Sequence, residues 1–146
     1  MALGDAETVD FWTSFLRSLR ERGLKVPSPE DPTGVVLVTS DAHAGIRAAV
    51  RAILPGAAWQ RCQDHFSRNV AEAAPKGLRT GLRSKLAEMF NCPDRASVER
   101  RRDEIAADYR ERAPRAVERL LEGFDDAMTV MALPTGDMRR CTRTSN

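Results

Sequence analysis

The sequence predicts an α/β fold in which a helix, a strand, a second helix and a second strand precede an all-helical second half. Two observations predict this order. Residues 34–39 form a short, continuous, β-branched run, which is typical of a strand buried on both faces of a sheet with parallel neighbours. Apolar residues recur at helical spacing before this run, directly after it and through most of the remaining chain.

The first helix is predicted over residues 6–22. Asp5 or Thr8 can cap its start, and Gly23 suits the left-handed backbone position that ends many helices. Three prolines and a glycine then mark residues 25–34 as a connecting loop. The apolar side chains that recur at helical spacing in this first segment are Val9, Trp12, Phe15, Leu16 and Leu19.

A strand, helix, strand unit follows the loop. Helical spacing of apolar residues continues over residues 42–54, with Ser40 or Asp41 available as the N-cap and a Pro-Gly pair as the stop. Residues 57–61, which include Trp59, are then expected to form the second strand.

The remainder of the chain, residues 64–133, is predicted to be helical. Prolines at positions 75, 93 and 114 break it into separate helices. One apolar stripe marks the face that is expected to be buried, and its members are Leu78, Leu82, Leu86 and Met89.

Composition narrows the class of protein. The 146 residues are 42% hydrophobic and 30% charged, which is ordinary for a folded globular domain. The net charge of +2 says almost nothing about partners. No apolar run is long enough to span a membrane and no export signal is evident, so we expect a cytoplasmic protein. The three cysteines are expected to be reduced thiols.

Asp41 is the best single candidate for a catalytic residue. It follows the predicted first strand, and ligands bind in open α/β sheets at the carboxyl ends of the strands. The alternative is that Asp41 only caps the next helix. His43, close behind it, is expected to be a surface residue or one that supports the site.

Cys62 and His65 have a C-x2-H spacing, for which three interpretations are open. The pair can supply two ligands of a zinc site, although a structural site needs four. Cys62 can instead be a small buried residue at a strand end, with His65 donating a hydrogen bond from a helix start. A nucleophile and base pair is the third interpretation.

Cations are concentrated in two places. Residues 76–85 contain four cations and no acid, and the predicted helix places several of them on one face, where they can bind phosphates without reading sequence. The alternative is an ordinary solvated helix face. The four candidate DNA-binding residues are Lys76, Arg79, Arg83 and Lys85, and a second cluster near the end contains Arg139, Arg140 and Arg143.

Three segments together resemble the Mutator-type transposases of bacterial insertion sequences. They are residues 11–16 (FWTSFL), residues 38–45 (VTSDAHAG) and residues 59–69 (WQRCQDHFSRN). The resemblance continues through Pro75 and Leu133 to the closing residues 143–146 (RTSN), so it covers nearly the whole chain.

This resemblance implies a DDE enzyme, in which a ribonuclease-H-like fold with a helical insertion presents two aspartates and a glutamate to Mg²⁺ or Mn²⁺. Residues 1–69 would then be a partial ribonuclease-H-like core, residues 70–133 the helical insertion and residues 134–146 a truncated tail. Asp41 corresponds to the second aspartate, as a catalytic residue and metal ligand, whereas His43, Cys62 and His65 correspond to supporting positions.

The resemblance also implies that the first aspartate and the glutamate of the family lie outside this sequence. We therefore expect an internal fragment of a transposase that catalyses DNA strand cleavage and transfer but is inactive alone, because two-metal chemistry needs several carboxylates. Its expected partners are DNA at the ends of an insertion element and a full-length transposase or a complementing fragment. The alternative is a non-catalytic module that binds DNA or a transposase.

Overall fold

The computed structural model of this protein describes residues 8–133, and this part of the chain confirms a mixed α/β architecture. Its two strands pair as one parallel sheet. In chain order the elements are α1 (Val9–Glu21), β1 (Leu37–Ser40), α2 (Ala44–Ile53), β2 (Ala58–Arg61), α3 (Gln63–Glu72), α4 (Arg79–Phe90), α5 (Arg95–Tyr109) and α6 (Pro114–Gly123). Short 3-10 helices lie at Lys76–Leu78, Asp125–Ala127 and Thr129–Ala132.

The described residues divide into two compact units, which separate between residues 60 and 61. The first contains α1, β1, α2 and most of β2, and the second contains the helices that follow. The predicted domain boundary between residues 69 and 70 follows from the family resemblance alone and stays a prediction.

The predicted capping signals are present at both ends of α1, although the helix begins at Val9 and not at the predicted residue 6. The Thr8 hydroxyl accepts a hydrogen bond of 3.2 Å from the Phe11 amide, which satisfies one of the free N–H groups of the first turn. Gly23 has a φ of 105°, the left-handed conformation expected after the helix end. Thr8 is therefore the N-cap, and Asp5 lies outside the described residues.

The core of the first unit forms where α1 packs against α2. Its fully buried members are Leu16, Ala49, Val50 and Leu54, and Trp12, Val38 and Trp59 are among the partly buried side chains that pack against them. At the end of α2, the Arg20 guanidinium donates a 3.0 Å hydrogen bond to the Ile53 carbonyl. This contact adds a polar link between the two helices.

The first strand differs from its prediction in both position and burial. It begins at Leu37, and all four of its residues are partly exposed. Gly34, with a φ of 120°, turns the chain so that the Val35 amide donates to the Lys25 carbonyl at 2.8 Å, inside the loop. The prediction of a strand buried on both faces is wrong for the described residues: β1 is an edge strand among them, and the elements packed on its faces leave none of its residues fully buried.

The second unit is built around a larger helical core. The predicted stripe is confirmed, since Leu82, Leu86 and Met89 are buried and Leu78 packs against them from a partly buried position. The helix breaks are also confirmed. Asp94 caps α5 by accepting a 2.7 Å hydrogen bond from the Ser97 amide, and Pro114 occupies the first turn of α6. Proline is favoured there because the first helical N–H groups have no partner within the helix.

None of the helices over residues 8–133 is long and apolar enough to cross a membrane. Residues 134–146, which contain the predicted cationic cluster of Arg139, Arg140 and Arg143, lie outside the described residues.

Candidate functional site

Asp41 lies directly after the last residue of β1 and is exposed. Its position at the carboxyl end of a strand agrees with the prediction. Its carboxylate forms no hydrogen bond or ion pair with any residue in the described range. The Asp41 carboxylate is therefore available to bind an external ligand.

The structure decides against the alternative that Asp41 caps α2. The N-cap is His43, whose Nδ1 accepts a 3.2 Å hydrogen bond from the Gly45 amide. The expectation that Ser40 or Asp41 caps this helix is wrong because α2 begins at Ala44, so the residue in the extended conformation before its first turn is His43. The role of His43 is thus to hold the helix start that follows Asp41.

A set of contacts between the two strands supports the backbone at Asp41. The Trp59 indole nitrogen donates a 2.8 Å hydrogen bond to the Ser40 hydroxyl, which in turn donates to the Asp41 carbonyl at 2.8 Å. The Arg47 guanidinium lies 4.7 Å from the centre of the Trp59 ring, within the range of a cation–π contact. Sequence reasoning missed this arrangement, although Trp59 belongs to the motif that carries the resemblance.

Cys62 is completely buried at the start of α3 and forms no disulfide among the described residues. This placement confirms the interpretation of a small buried residue at a strand end. The hydrogen bond expected from His65 is not present among the described residues, where its buried Nδ1 has no partner. No acceptor in the described range lies within hydrogen-bonding distance of this nitrogen.

The described residues do not by themselves fit a two-metal centre. Residues 8–133 contain no group of three or more histidine, cysteine, aspartate or glutamate side chains that could hold a metal ion. Two metal ions held about 4 Å apart need several converging carboxylates. Asp41 is one candidate ligand, and any further ligands would have to come from elsewhere.

Two of the four predicted DNA-binding cations form contacts within the second unit. Arg79 donates to the Ala74 carbonyl at 3.0 Å and to the Glu72 carbonyl at 3.1 Å, so it satisfies carbonyls where α3 ends. Lys85 donates to the Asp108 carboxylate at 2.5 Å, and Arg112 bonds the same carboxylate at 2.9 Å. These neighbours lower the pKa of Asp108, with the Lys85 hydrogen bond as the main cause.

The other two predicted DNA-binding cations are available to bind a ligand. Lys76 and Arg83 are exposed, and their side chains form no hydrogen bond or ion pair within residues 8–133. The structure therefore leaves Lys76 and Arg83 as the members of the predicted cationic face whose charge has no acidic partner in the part of the chain that is described.

The fold and the site define a mixed α/β protein that presents a carboxylate at the end of a strand and is followed by a cation-bearing helical region. The family model described as "Transposase, Mutator family" matches residues 1–146. The chain belongs to this family.

Several similar proteins are transposases of named insertion elements. The chain is 38% identical over 123 residues to the transposase for insertion sequence element IS1081 of Mycobacterium tuberculosis. It is 35% identical over 136 residues to the transposase for IS406 of Burkholderia multivorans. Identity is 33% over 123 residues to the transposase for IS256 in transposon Tn4001 of Staphylococcus aureus.

These matches cover most of this chain but only part of each relative. They span 84%, 92% and 83% of the chain and 28%, 33% and 30% of the three relatives, in the same order. The chain therefore corresponds to about one third or less of the length of these curated relatives.

Proposed function

We propose that this chain contributes Asp41 to the catalytic centre of an insertion-sequence transposase, in which it takes part in metal-dependent cleavage and transfer of DNA strands. The observation that carries this proposal is the exposed Asp41 carboxylate, which lies at the end of β1 and has no partner among the described residues. A carboxylate with only a structural role would be expected to pair with the helix start beside it, and His43 fills that role instead.

The proposal includes the fold of the complete enzyme. In it, α1, β1, α2 and β2 belong to a ribonuclease-H-like core that includes residues 1–69, and residues 70–133 form a helical insertion. The strand, helix, strand unit of the first two strands supports this assignment.

Mg²⁺ or Mn²⁺ is the proposed cofactor of the assembled centre, where such ions activate the attacking oxygen and stabilise the leaving one. Since the described residues hold Asp41 without a set of further ligands, the remaining carboxylates would come from other parts of the transposase or from a complementing chain. Within this chain, the Ser40 and Trp59 contacts hold the backbone at Asp41.

The test is a chimera in which residues 8–133 replace the matching segment of the transposase for IS1081. We expect Mn²⁺-dependent cleavage of element-end DNA by the chimera. Asp41→Asn should reduce cleavage by at least about a thousandfold, since removal of one member of a catalytic set that acts as a unit causes losses above this size. The matched control is Asp10→Asn, because Asp10 is an exposed acid in the first turn of α1.

Equal activity of the Asp41→Asn and Asp10→Asn chimeras would rule out a catalytic Asp41. It would favour the second candidate function, a non-catalytic module that binds DNA or a transposase. The exposed side chains of Lys76 and Arg83 are the observation that favours this second function.

A further inference from the structure

A cavity of about 490 Å³ opens in the second unit beside α3 and α6. Its volume lies in the range of sites that bind small molecules or single groups of a larger ligand. The described residues that line it come from the end of β2, from α3, and from α6 and the turn after it. None of them belongs to the candidate site around Asp41.

The floor of the cavity is the planar guanidinium of Arg61, which is partly exposed. It lies 5.1 Å from the centre of the Phe66 ring, and this ring is completely buried and supports the guanidinium from below. Phe66 is supported by an edge-on contact with Phe90, with the ring centres 6.0 Å apart. A guanidinium layered on an aromatic ring offers a planar surface on which a nucleic-acid base can stack.

Gly123 allows this floor to form. A Cβ at this position would lie 2.6 Å from the Arg61 Nη1 and 2.6 Å from the Phe66 Cε2, both far inside normal contact distances. Gly123 is buried in the last turn of α6 and has no positive φ, so close approach, and not backbone conformation, is the reason for a glycine here.

Side chains of both signs surround the cavity. Arg61 and Arg119 supply donors, and Glu122 and Asp126 supply carboxylate acceptors. Arg119 is held in place by a 2.9 Å hydrogen bond to the Asn69 carbonyl. A bare phosphate would be repelled by the two carboxylates, whereas a nucleobase presents donors and acceptors along one edge and a flat face for stacking.

We propose that this cavity binds an unpaired nucleobase of single-stranded DNA. The base stacks on the outer face of the Arg61 guanidinium, which the Phe66 ring supports, and its polar edge bonds to Arg119 and Glu122 at the cavity wall. This proposal rests on the proposed function in one respect, since it takes DNA as the ligand. It does not depend on metal or on catalysis by Asp41.

The test measures binding of the full 146-residue chain to fluorescent single-stranded oligomers of about 12 nucleotides, a length within the range of single-strand binding sites. One oligomer carries bases and the other is abasic with the same length and charge. The readout is the ratio of the two affinities, in which the contribution of the phosphates cancels. Because EDTA is present throughout, the result is independent of any metal-dependent cleavage.

We expect the chain to prefer the base-containing oligomer by at least about fivefold, the size of a single stacking contact. Glu122→Gln should lower this ratio, because the amide replaces one of the two carboxylate acceptors at the polar edge of the base with a donor. Glu118→Gln is the matched control, since Glu118 is an exposed acid one turn earlier on α6, outside the cavity lining, and its ratio should stay that of the unmodified chain.

Gly123→Ala gives a second, independent result because its new methyl group would displace the Arg61 guanidinium and the Phe66 ring that supports it. Its ratio should also fall, and its thermal unfolding is measured to establish that the chain still folds. A ratio of one in the unmodified chain overturns the proposal, as does an equal loss in Glu122→Gln and Glu118→Gln. If the chain keeps its preference for the base-containing oligomer but the chimera is inactive, the proposed catalysis is wrong and the proposed base-binding cavity is still supported.

Discussion

The indole nitrogen of Trp59 donates a 2.8 Å hydrogen bond to the hydroxyl of Ser40, the residue that immediately precedes Asp41. Trp59 lies in β2 and Ser40 is the last residue of β1, so the bond ties the two strands together at the position where the candidate catalytic side chain begins. The Ser40 hydroxyl in turn donates a hydrogen bond to the Asp41 carbonyl. This relationship makes Trp59 a positioning residue for Asp41.

Trp59→Phe should lower the free energy of unfolding by about 1 kcal/mol more than Trp12→Phe. The first substitution removes the hydrogen bond to Ser40, which contributes about that amount. The second removes a buried indole N–H that has no partner among the described residues, so the loss of aromatic area is offset by relief of an unsatisfied donor. Urea denaturation of both variants measures the difference. Equal losses would show that the Ser40 hydrogen bond contributes nothing.

His43→Ala should destabilise the chain by about 1 kcal/mol, because it removes the Nδ1 acceptor from the Gly45 amide at the start of α2. His43→Asn should retain most of the stability, since an asparagine side chain is a favoured N-cap acceptor. Denaturant unfolding of the two variants against the unmodified chain checks this order. An asparagine variant as unstable as the alanine variant would mean that His43 acts through contacts other than the cap.

The helices were predictable because their signals are local. Thr8, Gly23 and Pro114 act within one helical turn of their own positions, so the sequence indicates these ends without knowledge of the fold. The start of β1 was not predictable in the same way. The Val35 amide bonds to Lys25, ten residues earlier, and this loop contact delays the strand until Leu37.

The candidate site shows the same division between local and distant signals. The position of Asp41 after a strand follows from a short pattern in the sequence. The Trp59 contact with Ser40 joins residues 19 positions apart, and the Lys85 contact with Asp108 joins residues 23 apart. No periodicity in one segment predicts such pairs. For this reason the sequence did not predict the cavity beside α3 and α6. A glycine within a helical pattern near an aromatic residue could have indicated a close approach there.

Stability at acid pH should depend on Asp108. Its pKa is lowered from the usual value of 3.8, first by the Lys85 hydrogen bond and with a further contribution from Arg112. A pKa that is lower in the folded state means that the contribution to stability is fully present above about 3.8 and is lost as the pH falls through the folded value.

Asp108→Asn should therefore flatten the acid side of the stability profile, and Lys85→Gln should do the same because it removes the main cause of the lowered pKa. Denaturant midpoints between about pH 2 and pH 6 give the profiles. If the dependence of stability on pH below about 3.8 is unchanged in both variants, Lys85 and Asp108 do not form a stable ion pair in solution, as is common for exposed ion pairs.

Binding of duplex DNA should depend on Lys76 and Arg83, whose exposed side chains have no partner in the described range. Each phosphate contact contributes about 0.9 to the slope of log affinity against log salt concentration, so Lys76→Gln with Arg83→Gln should lower this slope by nearly 2. The control is Arg110→Gln with Arg115→Gln, which removes the same charge from two other exposed side chains that form no hydrogen bond or ion pair in this range. Salt titrations of DNA affinity compare the two. Equal slopes would mean that binding follows net charge, whereas a loss confined to the first pair identifies the surface that contacts phosphate.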